Sequence, residues 1–213
     1  DWPAVLSPVT KRSCAVPGIS TSLALGEVAD WLEREPVPLP QVDYAKLGLA
    51  GLGRSADLSP WLDVRQRFPP LAGRKPAWVA VVYGDYQAAR APAPELIVER
   101  AIETHCAGVL CDTWDKSRGK LWDSLAPRQL QSLIERTRAA GLFFALAGRL
   151  DAADVNLARQ LGADIFAVRS AACEGHNRSL SVTEAAVRQL VTAIGADQSS
   201  SGGQTALRQA ATL

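Results

Sequence analysis

The chain has 213 residues, 47% of them hydrophobic and 21% charged, which suffices for one sizeable core and a single domain. Its 23 Lys and Arg against 22 Asp and Glu leave a formal charge of +1, which excludes a long-range field for gripping nucleic acid or an anionic membrane. No apolar run approaches the roughly 18 residues that span a bilayer, and no basic segment leads into an apolar one at the start, so a cytoplasmic protein is expected.

Short apolar runs alternate with amphipathic stretches of helical period, as the βα units of a parallel sheet do. The expected strands are residues 12–16, 44–49, 78–83, 108–112, 142–147 and 164–169. Ser20 and Thr21 read as the start of a helix over LALGEVADWL, and Pro94 opens another over ELIVERAIETH. Ser124 with Pro127 precedes a third, in which Leu130, Leu133, Ile134 and Thr137 recur at helical spacing; Asp151 with Asp154 precedes a fourth over VNLARQLG. Gly141 and Gly162 each close a helix just before a strand. A last helix is expected over residues 183–194. Ser, Gly and Gln then predominate, so residues 1–195 read as one barrel domain and 196–213 as a flexible tail. Neither GxGxxG nor GxxxxGK[ST] occurs, and polar groups close the strands one by one. Both features favour a (β/α)8 TIM-type barrel over an open nucleotide-binding sheet.

Lys46 stands in the middle of an apolar strand. A buried ammonium is costly, so such a lysine either pairs with a carboxylate or has a lowered pKa that suits a base or an imine-forming amine; an edge-strand lysine facing solvent is the plain alternative. Asp112 ends a strand and Lys116 follows four residues later, so the two could meet over the barrel mouth. Equally, Asp112 could cap a turn and Lys116 belong to a charged surface stretch with Arg118 and Lys120. Asp85 ends another strand, as a proton carrier or a turn residue. Gly148 with Arg149, and Arg169 with Ser170, close the last two strands with small or cationic residues that suit a phosphate. His105 reads as a capping or surface residue, and His176 as solvent-exposed near the mouth. Cys14, Cys106, Cys111 and Cys173 show no metal-ligand spacing and read as buried, reduced thiols; no metal or cofactor is expected.

Taken together, DYAKLGLAG, the Tyr83-Gly84-Asp85 strand end, LCDTWDK followed by GKLWD, FALAG and VRSAACEG resemble the (5-formylfuran-3-yl)methyl phosphate synthases, also called 4-(hydroxymethyl)-2-furancarboxaldehyde-phosphate synthases. The resemblance runs over residues 12–192 and is specific from Asp43 onward. It implies a (β/α)8-barrel lyase of methanofuran-type cofactor biosynthesis, in one-carbon metabolism. The family condenses two molecules of glyceraldehyde 3-phosphate into a phosphorylated furan aldehyde, losing one phosphate and water. A protonated imine, or Schiff base, on a lysine would acidify the neighbouring C–H and yield the enamine for the aldol step. The resemblance further implies that Lys46 is the proton-transferring lysine and that Asp112 and Lys116 match the family's aspartate and lysine after the sixth strand. Barrel geometry adds Gly148, Arg149, Arg169 and Ser170 as the phosphate ligands.

One departure bears on the fold. The family's imine-forming lysine sits in an Asp-x-Lys-Asn/Asp-Pro motif on the second strand, nothing like it occurs before Arg12, and Lys11 is in the wrong context to replace it. Matched strand by strand, the six runs correspond to strands three to eight, so strands one and two are expected to be absent from this chain. The sequence contains no methionine, which favours an N-terminally truncated reading frame over a genuine loss. Two open sheet edges would then invite aggregation or a homo-oligomer. A different class I aldolase or phosphosugar isomerase on the same barrel, and a degenerate barrel that only binds a phosphorylated metabolite, remain the alternatives.

Overall fold

A computed structural model describes residues 19–53, 55–69 and 75–195. Six parallel strands form one sheet in the order β1-β2-β3-β4-β5-β6: Ser22–Glu27, Tyr44–Gly48, Ala77–Tyr83, Gly108–Asp112, Phe143–Leu146 and Ile165–Phe166. Helices lie between or beside them: α1 Ser59–Arg67, α2 Pro94–Glu103, α3 Leu121–Ser124, α4 Pro127–Ala139, α5 Val155–Gln160 and α6 Glu184–Gly195. Parallel neighbours need a crossover, and α1, α2, α4 and α5 supply it for the last four strand pairs. An open doubly wound sheet reverses its strand order at a switch point, whereas this α/β sheet runs straight through, an order compatible with a TIM-type barrel.

The period of two along each strand divides the sheet into two faces. Ala45, Leu47, Val109, Cys111, Phe144 and Leu146 are buried in the main core with Trp61 and Val64 of α1, Ile97 and Val98 of α2, and Leu130, Leu133 and Ile134 of α4. The residues between them, including Lys46, Leu110 and Asp112, face the other way. The sheet thus spends one face on the helices and leaves the other for a site.

Five of the six expected strands are present, the last of them much shortened. The first run expected, residues 12–16 with Cys14, and the tail from 196 onward lie outside the described residues. The helix expected after Ser20 and Thr21 is overturned: residues 22–27 form β1, and only Val28–Trp31 coil, as a 3-10 turn. The reason is long-range. Thr21 N–H donates to Asp43 Oδ2 at 2.8 Å, and β1 then pairs with β2 in the register Ser22 to Tyr44 and Ala24 to Lys46. Strand pairing of this kind overrides local helix signals. Helix α1 was not expected, although Pro60 in its first turn and the bond from Ser59 N–H to Asp57 Oδ1, 2.9 Å, mark its start. Helices α2, α4, α5 and α6 stand where their signals put them, and Cys106, Cys111 and Cys173 are free, buried thiols.

Candidate functional site

The helix-free face opens into a cleft of about 1020 Å³, to which β1, β2 and β4 contribute Ala24, Lys46, Leu110 and Asp112. The loops beyond β4, β5 and β6 complete it. Lys46, Asp112, Lys116, Gly148, Arg149, Arg169 and Ser170 all line this one cleft, although they are spread over 125 positions of sequence from Lys46 to Ser170. Asp85 does not line it.

Lys46 lies on a strand paired on both sides, with β1 and β3, so it is not an edge lysine facing solvent. Its side chain is half-buried and its ammonium donates to Ser22 Oγ at 3.4 Å. Burial pulls its pKa below the usual lysine value, and the negative charge of Asp112 partly opposes this. A neutral amine is therefore easier to form here than in water. Lys116 Nζ donates to Asp112 Oδ1 at 2.6 Å and also to the carbonyl of Thr113. The sequence spacing of Asp112 and Lys116 thus corresponds to a direct ion pair.

The loop that carries Lys116 is held from two sides. Both oxygens of Asp85 are engaged: Oδ1 accepts from Trp114 N–H at 2.7 Å and Oδ2 from Asp115 N–H at 2.9 Å. Opposite, Arg149 Nη1 donates to the Lys116 carbonyl at 2.6 Å, and Leu121 N–H donates to the Gly148 carbonyl at 3.0 Å. Gly148 and Arg149 have φ of 104° and 58°, so the chain leaves β5 in a left-handed turn that glycine tolerates and arginine rarely adopts. That turn sends Arg149 back toward the Lys116 loop. Arg169 precedes the 3-10 turn Ser170–Ala172. His176, exposed, also borders the cleft, while His105 is exposed just beyond α2.

Two groupings escaped the sequence. Lys120, read as a surface charge, donates to Asp151 Oδ2 at 2.8 Å and to Asp154 Oδ2 at 2.7 Å, and Trp122 Nε1 donates to Asp154 Oδ1 at 2.9 Å. Asp151 and Asp154 gave only a helix-start signal, and nothing in the spacing ties them to Lys120. The Tyr83 hydroxyl donates to Glu27 Oε1 at 2.6 Å, while Ala50 N–H donates to Glu27 Oε2 at 2.7 Å. Burial raises the Glu27 pKa despite these bonds and raises that of Tyr83 as well. Glu27 was hidden inside the mistaken helix.

Six cationic side chains, Lys46, Lys116, Lys120, Arg149, Arg169 and Arg178, face three carboxylates, Asp112, Asp123 and Asp151, around the cleft. In a chain of net charge +1, this is a local concentration of positive charge suited to an anionic ligand. Among the described residues no group of His, Cys, Asp and Glu is placed to hold a metal ion, and no helix is long and apolar enough to cross a membrane.

Residues 3–191 match the model of a family described as 4-HFC-P synthase. The chain is similar to the (5-formylfuran-3-yl)methyl phosphate synthase of Methanopyrus kandleri, 32% identical over 154 residues, which are 72% of this chain and 65% of the relative. It is similar also to those of Methanococcus aeolicus, 29% identical over 67% of this chain and 61% of the relative, and Archaeoglobus fulgidus, 28% identical over 68% and 62%. The chain therefore spans less than two thirds of the length of these curated relatives.

Proposed function

The chain belongs to the 4-HFC-P synthase family, and on that premise we propose that it is a lyase forming (5-formylfuran-3-yl)methyl phosphate from two molecules of glyceraldehyde 3-phosphate, on a sheet that is part of a (β/α)8 barrel. The product would serve a methanofuran-type cofactor, and a cytoplasmic setting suits a phosphorylated aldehyde substrate. The observation that carries the reading is the convergence on one cleft of a lysine whose pKa burial lowers, an Asp–Lys pair and a surplus of cationic groups.

Each group has a distinct task in this scheme. Lys46, deprotonated more readily than an ordinary lysine, takes a proton from carbon or oxygen and returns it to a leaving hydroxyl. Lys116, in direct contact with Asp112, is placed to stabilise the oxyanions of the aldol and elimination steps. The imine chemistry of the family would supply the enamine nucleophile. Arg169, Ser170 and the Gly148–Arg149 turn, which line the same cleft, would hold the substrate phosphate through cationic donors and backbone N–H groups.

The test is mass spectrometry of the products that the protein forms from glyceraldehyde 3-phosphate. A phosphorylated furan aldehyde is expected, with Lys46→Met lowering turnover by roughly 10²-fold or more, the scale of lost general acid–base catalysis. A different aldol or isomer product would replace the reading with another phosphosugar enzyme. Full activity in Lys46→Met would make Lys46 structural.

A further inference from the structure

We infer that Asp85 is a positioning residue which, together with Arg149 on the opposite side, braces the loop of residues 113–120 so that Lys116 meets Asp112. The inference rests on the reading of Lys116 as part of the reacting centre. It replaces the proton-carrying role expected of Asp85 from its place at a strand end.

A proton carrier must present an oxygen to the substrate. Asp85 does not line the cleft, and each of its oxygens instead accepts one of two successive backbone N–H groups, Trp114 at 2.7 Å and Asp115 at 2.9 Å. A carboxylate bound to two consecutive amides fixes the direction in which the chain leaves Asp112, since such charge-assisted bonds are both short and directional. Within the loop, Arg118 N–H donates to the Asp115 carbonyl at 3.3 Å and Ser117 Oγ to Asp115 Oδ1 at 2.6 Å, while Lys120 at its far end reaches Asp151 and Asp154. At the lysine itself the external hold is Arg149 Nη1 on the Lys116 carbonyl at 2.6 Å. The loop's ends are anchored by Gly84 N–H on the Asp112 carbonyl, 2.8 Å, and by Leu121 N–H on that of Gly148, 3.0 Å. Lys116 therefore owes its reach to residues on the neighbouring strands' loops. Trp114 is 47% exposed and belongs to none of the buried apolar clusters.

The experiment compares wild type with Asp85→Ala, Asp85→Asn and Arg149→Ala in two readouts: amide hydrogen exchange at Trp114 and Asp115, and the pH dependence of kcat and KM for furan formation. Asp85→Ala is expected to speed exchange at both amides by about tenfold or more, because local protection follows these bonds. Asp85→Asn, whose single carbonyl oxygen still accepts from an amide, should give a smaller increase. Both should lower kcat by about 10- to 100-fold, the scale of a misplacement near 1 Å, with KM changed far less and the shape of the pH profile retained. Arg149→Ala should lower kcat while leaving exchange at Trp114 and Asp115 as in wild type. Exchange unchanged in both Asp85 variants overturns the brace, and so does loss of a pH limb in Asp85→Asn, which would mark a proton carrier. If wild type forms no furan, the function proposed above fails, and exchange alone then decides the brace.

Discussion

Lys46 is held in its site against its own solvation. Its pKa is lowered by burial, so the unfolded chain binds the lysine proton more tightly than the folded one, and the ammonium destabilises the fold. The penalty is full below the folded-state pKa and fades as pH rises toward the unfolded value near 10.4. Lys46→Met, which keeps the volume and drops the charge, should therefore raise stability at pH 7 while lowering activity. The gain should vanish near pH 10.5. Thermal unfolding at the two pH values checks this, and a variant less stable than wild type at pH 7 would show that the Ser22 and Asp112 interactions outweigh burial. At this scale the sequence was informative: a lysine amid apolar residues, and an aspartate and lysine four apart, are unusual enough to notice. It could not say that Asp85 turns toward backbone amides, since a strand-end carboxylate reads the same in either role.

A single missing side chain governs how β1, β2 and β3 close together. A Cβ on Gly48 would overlap the Glu27 carboxylate and the Tyr83 hydroxyl, so the glycine of the DYAKLG segment is where those two groups meet. Gly48→Ala should destabilise the protein by about 1–3 kcal/mol, the scale of overpacking in a filled core, as read by the denaturation midpoint. An unchanged midpoint would mean the pair can move aside freely. Helices were legible where capping and apolar spacing agreed, as in α4, whose Leu130, Leu133, Ile134 and Thr137 are all buried. Strand β1 was not. Leu25, Val28 and Leu32 recur at helical spacing, and it is the bonds of Thr21 to Asp43, twenty-two residues on, with the pairing of β1 to β2, that decide the matter. Information of that range is absent from a local window. Helix α1 escaped for the opposite reason, having few apolar residues and just Trp61 and Val64 buried.

For the molecule as a whole, charge is nearly balanced overall and unbalanced at the cleft. With six cations facing three carboxylates there, the KM for a phosphorylated aldehyde should rise several-fold as salt is raised from about 0.01 M to 0.15 M, where the screening length falls from roughly 30 Å to 8 Å. The kcat should stay nearly constant, because the Lys116–Asp112 pair is in direct contact. A KM indifferent to salt would mean that the cations are spent on their own carboxylates, as Lys120 is on Asp151 and Asp154. The layout of alternating strands and helices was visible in the sequence because period two and period 3.6 differ plainly, whereas the cleft itself arises from loops that sequence alone leaves unconnected. Those connections carry a consequence for how such proteins can diverge. The segment after β4 is fastened to the loops after β3 and β5, so a single strand-and-loop unit cannot be exchanged with a homologue as an independent module. A chimera would have to carry all three loops across together, and recombination points within this stretch should be tolerated only before β3 or after α5.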